Sequence, residues 1–343
     1  MTAPFDLRIA HTVTEIDQFA WDHLAVGQPF ASYRWYQFGE KVLAGITPVY
    51  ILLSLDGQPV ARSTFWLTRQ EPWPAPAPLN ILLSAILRRW PLLICRAPVA
   101  DYSGFVLPTS PLRDRALMVM VQAVRAIAQQ HHVSYLLFDW VDTEHQPPVW
   151  PDGFEVSSIA DAGTALQLHW PDFESYLGSL SKSMRKDYHR HLNRARDAGI
   201  EIKTAPVPTR LDDALPLIRR VEQEHGAAPK IHAQAILENA ALVPAVWLTA
   251  EIGERLVGCG LLLFDGDACC LTLLGLDYDV RYAYFQLFYA AIRAAIESGA
   301  RTLYGGSGAY DLKERLGFEM LTNNHIALVS DRRLFRQFAR WMS

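Results

Sequence analysis

Lys313, Asp311 and Asp277 are the side chains whose type and setting suit group transfer. Lys313 and Asp311 follow a glycine cluster, Gly305-Gly306-Ser307-Gly308. Glycines let backbone approach a ligand closely and leave amides unshielded. An ammonium held beside such amides stabilises negative charge on a ligand, and Asp277, Asp279 and Asp311 are of the type that accepts a proton, directly or through water. Each feature also has a plainer reading. The glycines suit a mobile turn, and Lys313 suits a solvated helix lysine paired with Asp311 or Glu314. A phosphate loop is excluded, because no Gly-Lys-Ser/Thr follows in register.

A second group is cationic. Lys182, Arg185, Lys186, Arg190, Arg194 and Arg196 are offset only by Asp187 and Asp197. Lys182, Lys186, Arg190 and Arg194 stand four apart and so share one helical face. With His189, that face suits the phosphates of a nucleotide-linked acceptor or of a tRNA acceptor stem, or is simply solvated. Arg185, Lys186 and Arg190 are the acceptor-binding candidates there. His225 is a further one, at the end of a helix expected over residues 212–224 and close to Glu222 and Glu224, although a solvated helix end is its plainer and favoured reading. Tyr33, Arg34 and Trp35 either clamp an acceptor or pack around the first helix. His131-His132 and His189-x-His191 lack cysteine or carboxylate partners at ligand spacing, so no metal is expected. Residues 332–342 are basic and aromatic, with Leu334, Phe335, Phe338 and Trp341 on one helical face. That segment, like residues 81–87, reads as docking on the protein body or touching a membrane surface.

The elements that hold these residues must come from two cores. A chain of 343 residues exceeds one ordinary domain, and its hydrophobic half supports sizeable interiors. A net charge of −4 provides no global field toward DNA or a full tRNA body. The smaller phosphorylated ligand or an acyl carrier protein fits that balance better. Cys95, Cys259, Cys269 and Cys270 show no paired spacing and read as reduced thiols of a cytoplasmic protein. No signal sequence is evident at the start, and residues 81–95 are too short and too broken by Arg88, Arg89 and Pro91 to span a bilayer.

Periodicity places the elements. A helix is expected over residues 15–24 with Thr14 as its cap. Residues 49–55 and 60–67 form a hairpin around Asp56-Gly57. Residues 71–78 are proline-rich loop, 100–107 a strand, and 113–130 an amphipathic helix. Residues 133–141 are apolar on both parities, as in a strand covered on both faces. The second half repeats the order: strands over 246–251, 256–264 and 268–276, a helix over 284–298 ended by Gly299, and a strand from 301 to 304. "LDGQPVARSTF" and "IGERLVGCGLL" match in turn position and hydrophobic phase, the mark of a divergent internal duplication. Residues 172–202 lie between the halves and read as helix that stops at Gly199. The expected division is 1–170, a basic interdomain segment 171–200, and 201–343, with the last residues packing on the first domain.

The run "AYDLKERLGFEM", after a hairpin, strand, helix and strand, resembles the end of the GNAT acyltransferase core. With two copies in one chain, the protein resembles the tandem-GNAT, FemABX-like transferases. "YLGSLSKSMRKDYHRHLNRARDAGI" is similar to the signature helix of one branch of that group. The resemblance implies an α/β fold of two tandem GNAT-like domains, each a mixed central sheet flanked by helices. It implies N-acyl transfer from acyl-CoA or a carrier thioester to an amine, on a small molecule or a nucleotide-linked acceptor. It equally allows aminoacyl transfer from charged tRNA, and a non-catalytic binding module is the third reading. The donor would lie along Leu274, Gly275 and Leu276, near Arg281 and against Gly305, Gly306 and Gly308. Two departures stand out. GNAT proteins meet the CoA pyrophosphate with glycines at a helix start, where this chain has Arg281-Tyr282-Ala283-Tyr284-Phe285-Gln286. Many also carry a tyrosine acid where this chain has Lys313, and FemABX-like members likewise have a lysine in that region.

Overall fold

The computed structural model describes residues 4–71, 77–109, 111–142, 149–158, 161–224, 232–333 and 335–337. The chain divides into two units, residues 1–162 with 322–343, and residues 163–321. The first unit runs β1 (Asp6–Ala10), α1 (Gln18–Ala25), α2 (Tyr33–Val42), β2 (Thr47–Leu55), β3 (Gln58–Thr68), α3 (Ala77–Arg89), β4 (Leu92–Cys95), β5 (Phe105–Val106), α4 (Arg113–Gln130), β6 (Tyr135–Val141) and β7 (Glu155–Ser158). The second runs β8 (Thr164–Gln167), α5 (Phe173–Ser179), α6 (Lys182–Asp197), β9 (Ile200–Ala205), α7 (Leu211–Glu224), α8 (Ala233–Asn239), β10 (Ala245–Ile252), β11 (Arg255–Asp265), β12 (Ala268–Leu276), α9 (Ala283–Glu297), β13 (Thr302–Tyr304), α10 (Tyr310–Arg315) and β14 (Glu319–Met320). The chain then returns to the first unit as β15 (His325–Val329).

The first sheet has the order β1-β2-β3-β4-β6-β15-β7, with β5 on β3. Its hairpin turns at Asp56 and Gly57, both at positive φ, which matches the strand twist of a two-residue connection. β4 and β6 are parallel and joined through α4, whose Leu117, Met120, Val121 and Val124 pack with Val49, Ile51, Leu53 and Phe65. β6 lies inside the sheet, between β4 and β15, which is why both of its faces are apolar. It bulges near its end, where Trp140 takes a φ of 54°.

The second sheet has the order β14-β8-β13-β12-β11-β10-β9 and repeats that plan. A hairpin, β10–β11, is followed by β12, by α9, and by β13 parallel to β12. A Cβ on Gly258 would strike Leu287 of α9, and one on Gly275 would lie 2.9 Å from the Ile218 nitrogen of α7. The two glycines sit on neighbouring cross-strand pairs, Gly258↔Leu276 and Cys259↔Gly275, so they face opposite sides of the sheet. The helices α9 and α7 therefore cover opposite faces. α9 buries Leu287, Phe288, Ala291, Ile292 and Ala295 in the core.

Several expected boundaries move. Asp17, not Thr14, caps the first helix, accepting from the Ala20 N–H at 2.8 Å, because Val13–Glu15 closes a separate short turn. Ala77 and Pro78 belong to α3, since proline fits a first helical turn. The strand expected over 100–107 shrinks to Phe105–Val106. The helix expected from residue 172 breaks into α5 and α6, because the Ser181 hydroxyl caps a new helix by accepting from the Met184 N–H at 3.2 Å, and residues 200–202 open β9. The division expected at 170 falls at 162, and residues 171–200 are part of the second unit rather than a segment between two. The reason is packing: Met184, Tyr188 and His191 of α6 are buried, and Tyr188 meets Tyr289 of α9 edge to face at 4.9 Å.

Candidate functional site

The glycine cluster leaves β13 and turns into α10. Gly306 and Gly308 have φ of 66° and 80°, a region that disfavours side chains. Gly305 is required by space, since a Cβ there would lie 2.9 Å from the Phe318 ring and 3.0 Å from Thr164 Oγ1. Lys313 is 3% exposed and reaches back along the helix to this loop. Its Nζ donates to the carbonyls of Gly305 (2.8 Å), Gly306 (2.9 Å) and Ser307 (3.1 Å). The Thr164 hydroxyl donates to Gly306 O at 2.8 Å, and the Gly305 N–H donates to Thr164 O. The loop is thus tied at several points, and Lys313 is buried against it rather than solvated. In a trans peptide the C=O and the following N–H point oppositely. Drawing three successive carbonyls onto one ammonium turns the N–H groups of Gly306, Ser307 and Gly308 away from it. Those residues are half-buried to exposed, so the loop presents a row of outward donors with a cation behind it.

Beside this loop the sheet parts. β12 pairs with β13 only from Ala268↔Thr302 to Cys270↔Tyr304, and Leu271–Leu276 continue along β11 alone. The Asp277 N–H donates to Val257 O. By the alternation of an antiparallel ladder, the N–H groups of Leu274 and Leu276 therefore point to the side that β13 has left. Gly275 faces α7 instead, where Cys259 Sγ would lie 2.7 Å from any added Cβ.

α9 starts just beyond. Tyr282 precedes it at a φ of 75° with no side-chain cap, and Arg281 is exposed. Phe285 stacks on His191 of α6 at 3.9 Å, and Tyr289 Oη lies 3.5 Å from His191 Nδ1. Burial, and then Arg190, hold the His191 imidazole below its ordinary pKa. Burial pushes the Tyr284 hydroxyl up to about 12. Gln286 is buried, and its Nε2 has no hydrogen-bond partner among the described residues.

The remaining candidates separate. Asp277 is buried and committed: Arg220 donates to it at 2.7 Å, Arg255 pairs with its other oxygen, and the Asp279 N–H donates at 3.2 Å. Both carboxylate oxygens of Asp277 are thus occupied by guanidiniums, whereas Asp311 is exposed. Sequence reasoning missed Arg220, Arg255 and Thr164. Trp35 is fully buried, donating from Nε1 to Pro98 O at 2.7 Å and packing on Phe30 and Phe38. Residues 33–36 are the first turn of α2, capped by Ser32, so Trp35 serves the core and is no acceptor clamp. Tyr33 is almost as buried, its N–H donating to Asp22 at 2.7 Å, and Arg34 is exposed. Arg185 donates from Nη1 to Gly178 O and Leu180 O, closing the end of α5. Arg190 pairs with Asp187 at 2.9 Å, and Lys186 is exposed. His225 lies outside the described residues.

In the first unit the matching strand ends, those of β4 and β6, carry Arg96 and Asp139. Arg96 lies 2.5 Å from Glu71 and 3.6 Å from Asp139. Burial pushes the Asp139 carboxyl up to about 6, against the opposing pull of Arg96. Among the described residues no group of histidines, cysteines and carboxylates is arranged for a metal ion.

Two tandem sheets of this build, each with parallel strands parting around a helix, define a FemABX-like tandem-GNAT fold. The chain belongs to the FemAB-like family, described by peptidoglycan biosynthesis and recognition, whose model matches residues 12–343. Among solved structures it is similar to FemX, at 12% identity and a TM-score of 0.64, covering 97% of this chain and 100% of that one. A tandem GNAT protein from the clavulanic acid biosynthesis pathway follows at 12% and 0.56, covering 94% and 97%. The C-terminal domain of a putative lysylphosphatidylglycerol synthetase from Agrobacterium fabrum matches at 10% and 0.53, covering 96% of each chain. At such identities the likeness is one of fold. No curated protein matches the chain. Family and fold together support an acyltransferase-type function.

Proposed function

We propose that the protein is an N-acyltransferase that moves an acyl group from acyl-CoA or a carrier thioester to an amine. The observation that carries this reading is the loop at residues 305–308, where Lys313 gathers three carbonyls and turns three amides outward. An oxyanion is the ligand such a row of donors suits best. The amine nitrogen attacks the acyl carbon, a C–N bond forms, and the carbonyl electron pair moves onto oxygen. The outward amides hold that oxygen, with those of Leu274 and Leu276 where the sheet parts. Collapse breaks the C–S bond, the thiolate leaves, and the amine's proton passes to water or to Asp311. Lys313 acts as a positioning residue, fixing the loop and adding a positive charge behind it.

Aminoacyl transfer from charged tRNA is the second reading, with an ester C–O bond breaking instead. The start of α9 favours it, because Tyr282, Tyr284 and Phe285 stand where glycines would admit a pyrophosphate, and Phe285 is packed on His191. Calorimetry with acetyl-CoA and longer acyl-CoAs separates the two. Saturable binding that weakens in Gly306→Val supports the thioester donor. No binding to any acyl-CoA, together with RNase-sensitive transfer of labelled amino acid to an amine, would replace it with the tRNA donor.

A further inference from the structure

We propose that the outer face of α3, together with the arginines of the C-terminal segment, is a docking surface for an anionic lipid bilayer. Ile81 and Leu82 of α3 are 70% and 56% exposed, although large aliphatic side chains usually find cover. Ala85, Arg88 and Arg89 are exposed as well, and spacings of three and four place them in one stripe with Ile81 and Leu82. The opposite side of the helix is anchored, since Leu87 packs with Leu92, Ile94, Leu137 and Leu328. The stripe is therefore a free face of a helix already fixed to its sheet.

The cations extend beyond the helix. Trp90 follows α3 and meets Phe335 at 5.8 Å, with the guanidiniums of Arg89 and Arg332 5.6 and 5.7 Å from its ring. The Tyr135 hydroxyl donates to Phe335 O at 2.8 Å and pins that segment beside the helix end. Arg333 and Arg336 are exposed there. α3 and the described residues of 332–337 thus carry Arg88, Arg89, Arg332, Arg333 and Arg336 and no carboxylate, with exposed Asp331 just before them, on a chain whose net charge is −4.

Charge complementarity selects an anionic partner, and the aliphatic stripe selects which one. A nucleic-acid backbone would neutralise the arginines but leave Ile81 and Leu82 in water. A bilayer takes both, with guanidiniums at the phosphates and aliphatic tips among the upper acyl carbons. Thirteen residues are too few to cross, and no described helix is long and apolar enough to do so. The helix lies on the surface.

Flotation of the full chain with vesicles tests this without donor or acceptor, so its outcome is independent of the transfer reading. The protein is expected to float with mixed phosphatidylcholine–phosphatidylglycerol vesicles and not with phosphatidylcholine alone. Replacing Arg88, Arg89, Arg333 and Arg336 together by Gln is expected to weaken binding by several hundredfold, at about fivefold for each arginine near the surface. Ile81→Gln with Leu82→Gln is expected to weaken it about tenfold. All six side chains are exposed, so folding is spared, and unchanged far-UV circular dichroism checks it. Absence of flotation with the mixed vesicles, or equal binding by both variants, overturns the proposal. So does a dimer that the Ile81→Gln/Leu82→Gln variant makes monomeric without any vesicle binding, because the face would then join two copies of the chain.

Discussion

Replacing Lys313 by Met keeps the length and apolar stem of the side chain and removes only the ammonium. Three carbonyls, those of Gly305, Gly306 and Ser307, then lose the ammonium, while Gly306 O keeps the Thr164 hydroxyl. A hydrogen bond from a charged group contributes about 1.5–3 kcal/mol. The sum overstates the loss, because Ser307 is exposed and water can replace Nζ there, and because a buried ammonium regains hydration on unfolding. Gly305 is half-buried, wedged between Phe318 and Thr164. A net loss of about 3 kcal/mol follows, which for a unit of ~150 residues lowers Tm by about 6–12 °C. Differential scanning calorimetry reads that shift. Hydrogen exchange adds the local signature: the amides of residues 306–309 should exchange faster while those of β11 and β12 hold. Transfer activity should fall by about 10²–10³ if the outward amides hold the oxyanion. Unchanged Tm with unchanged exchange at the loop would refute the clamp, whatever happened to activity.

The paired glycine substitutions separate space from backbone conformation. Gly305→Ala forces a Cβ to 2.9 Å from Phe318 and should cost about 1–3 kcal/mol, while Gly306→Ala meets nothing within 4 Å and should cost only the ~1 kcal/mol of its positive φ; urea unfolding of both ranks them. Asp277→Asn leaves Arg220 and Arg255 facing an uncharged group and should destabilise by about 2 kcal/mol in the same assay, whereas Arg255→Gln, at an exposed guanidinium, should change little. The Asp139 carboxyl, raised from 3.8 to about 6, makes the native state bind more protons than the unfolded chain between those values. Stability of the first unit should therefore fall as pH rises from 4 to 6, by about 3 kcal/mol in all, and level off above. Asp139→Asn should flatten that decline; a decline of the same size in the variant would assign it to another group.

Regular elements were legible because each carries its own periodicity. The helix Arg113–Gln130 and the strand Ala268–Leu276 fall where apolar spacing placed them, and Asp56-Gly57 forms the expected turn. Capping was less legible. Thr14 and Asp17 are both suitable caps, and only the competing turn at Val13–Glu15 selects Asp17. Ser181 likewise decides that one long basic helix becomes two.

The residues of the glycine loop and the lysine behind it were readable from the chain alone, as was an α/β architecture repeated twice. What Lys313 does was not, because its partners are backbone carbonyls, which every residue type supplies and no sequence pattern marks. Asp277 is bound by Arg220 and Arg255, 57 and 22 residues away, and such pairings exist only once strands and helices are packed. Trp35 is claimed by the core through Pro98, 63 residues on. The return of β15 to the first sheet, between β6 and β7, depends on which edge remains open after folding. Local spacing records what a segment can form; the closing of distant segments decides which of its polar groups stay free to act.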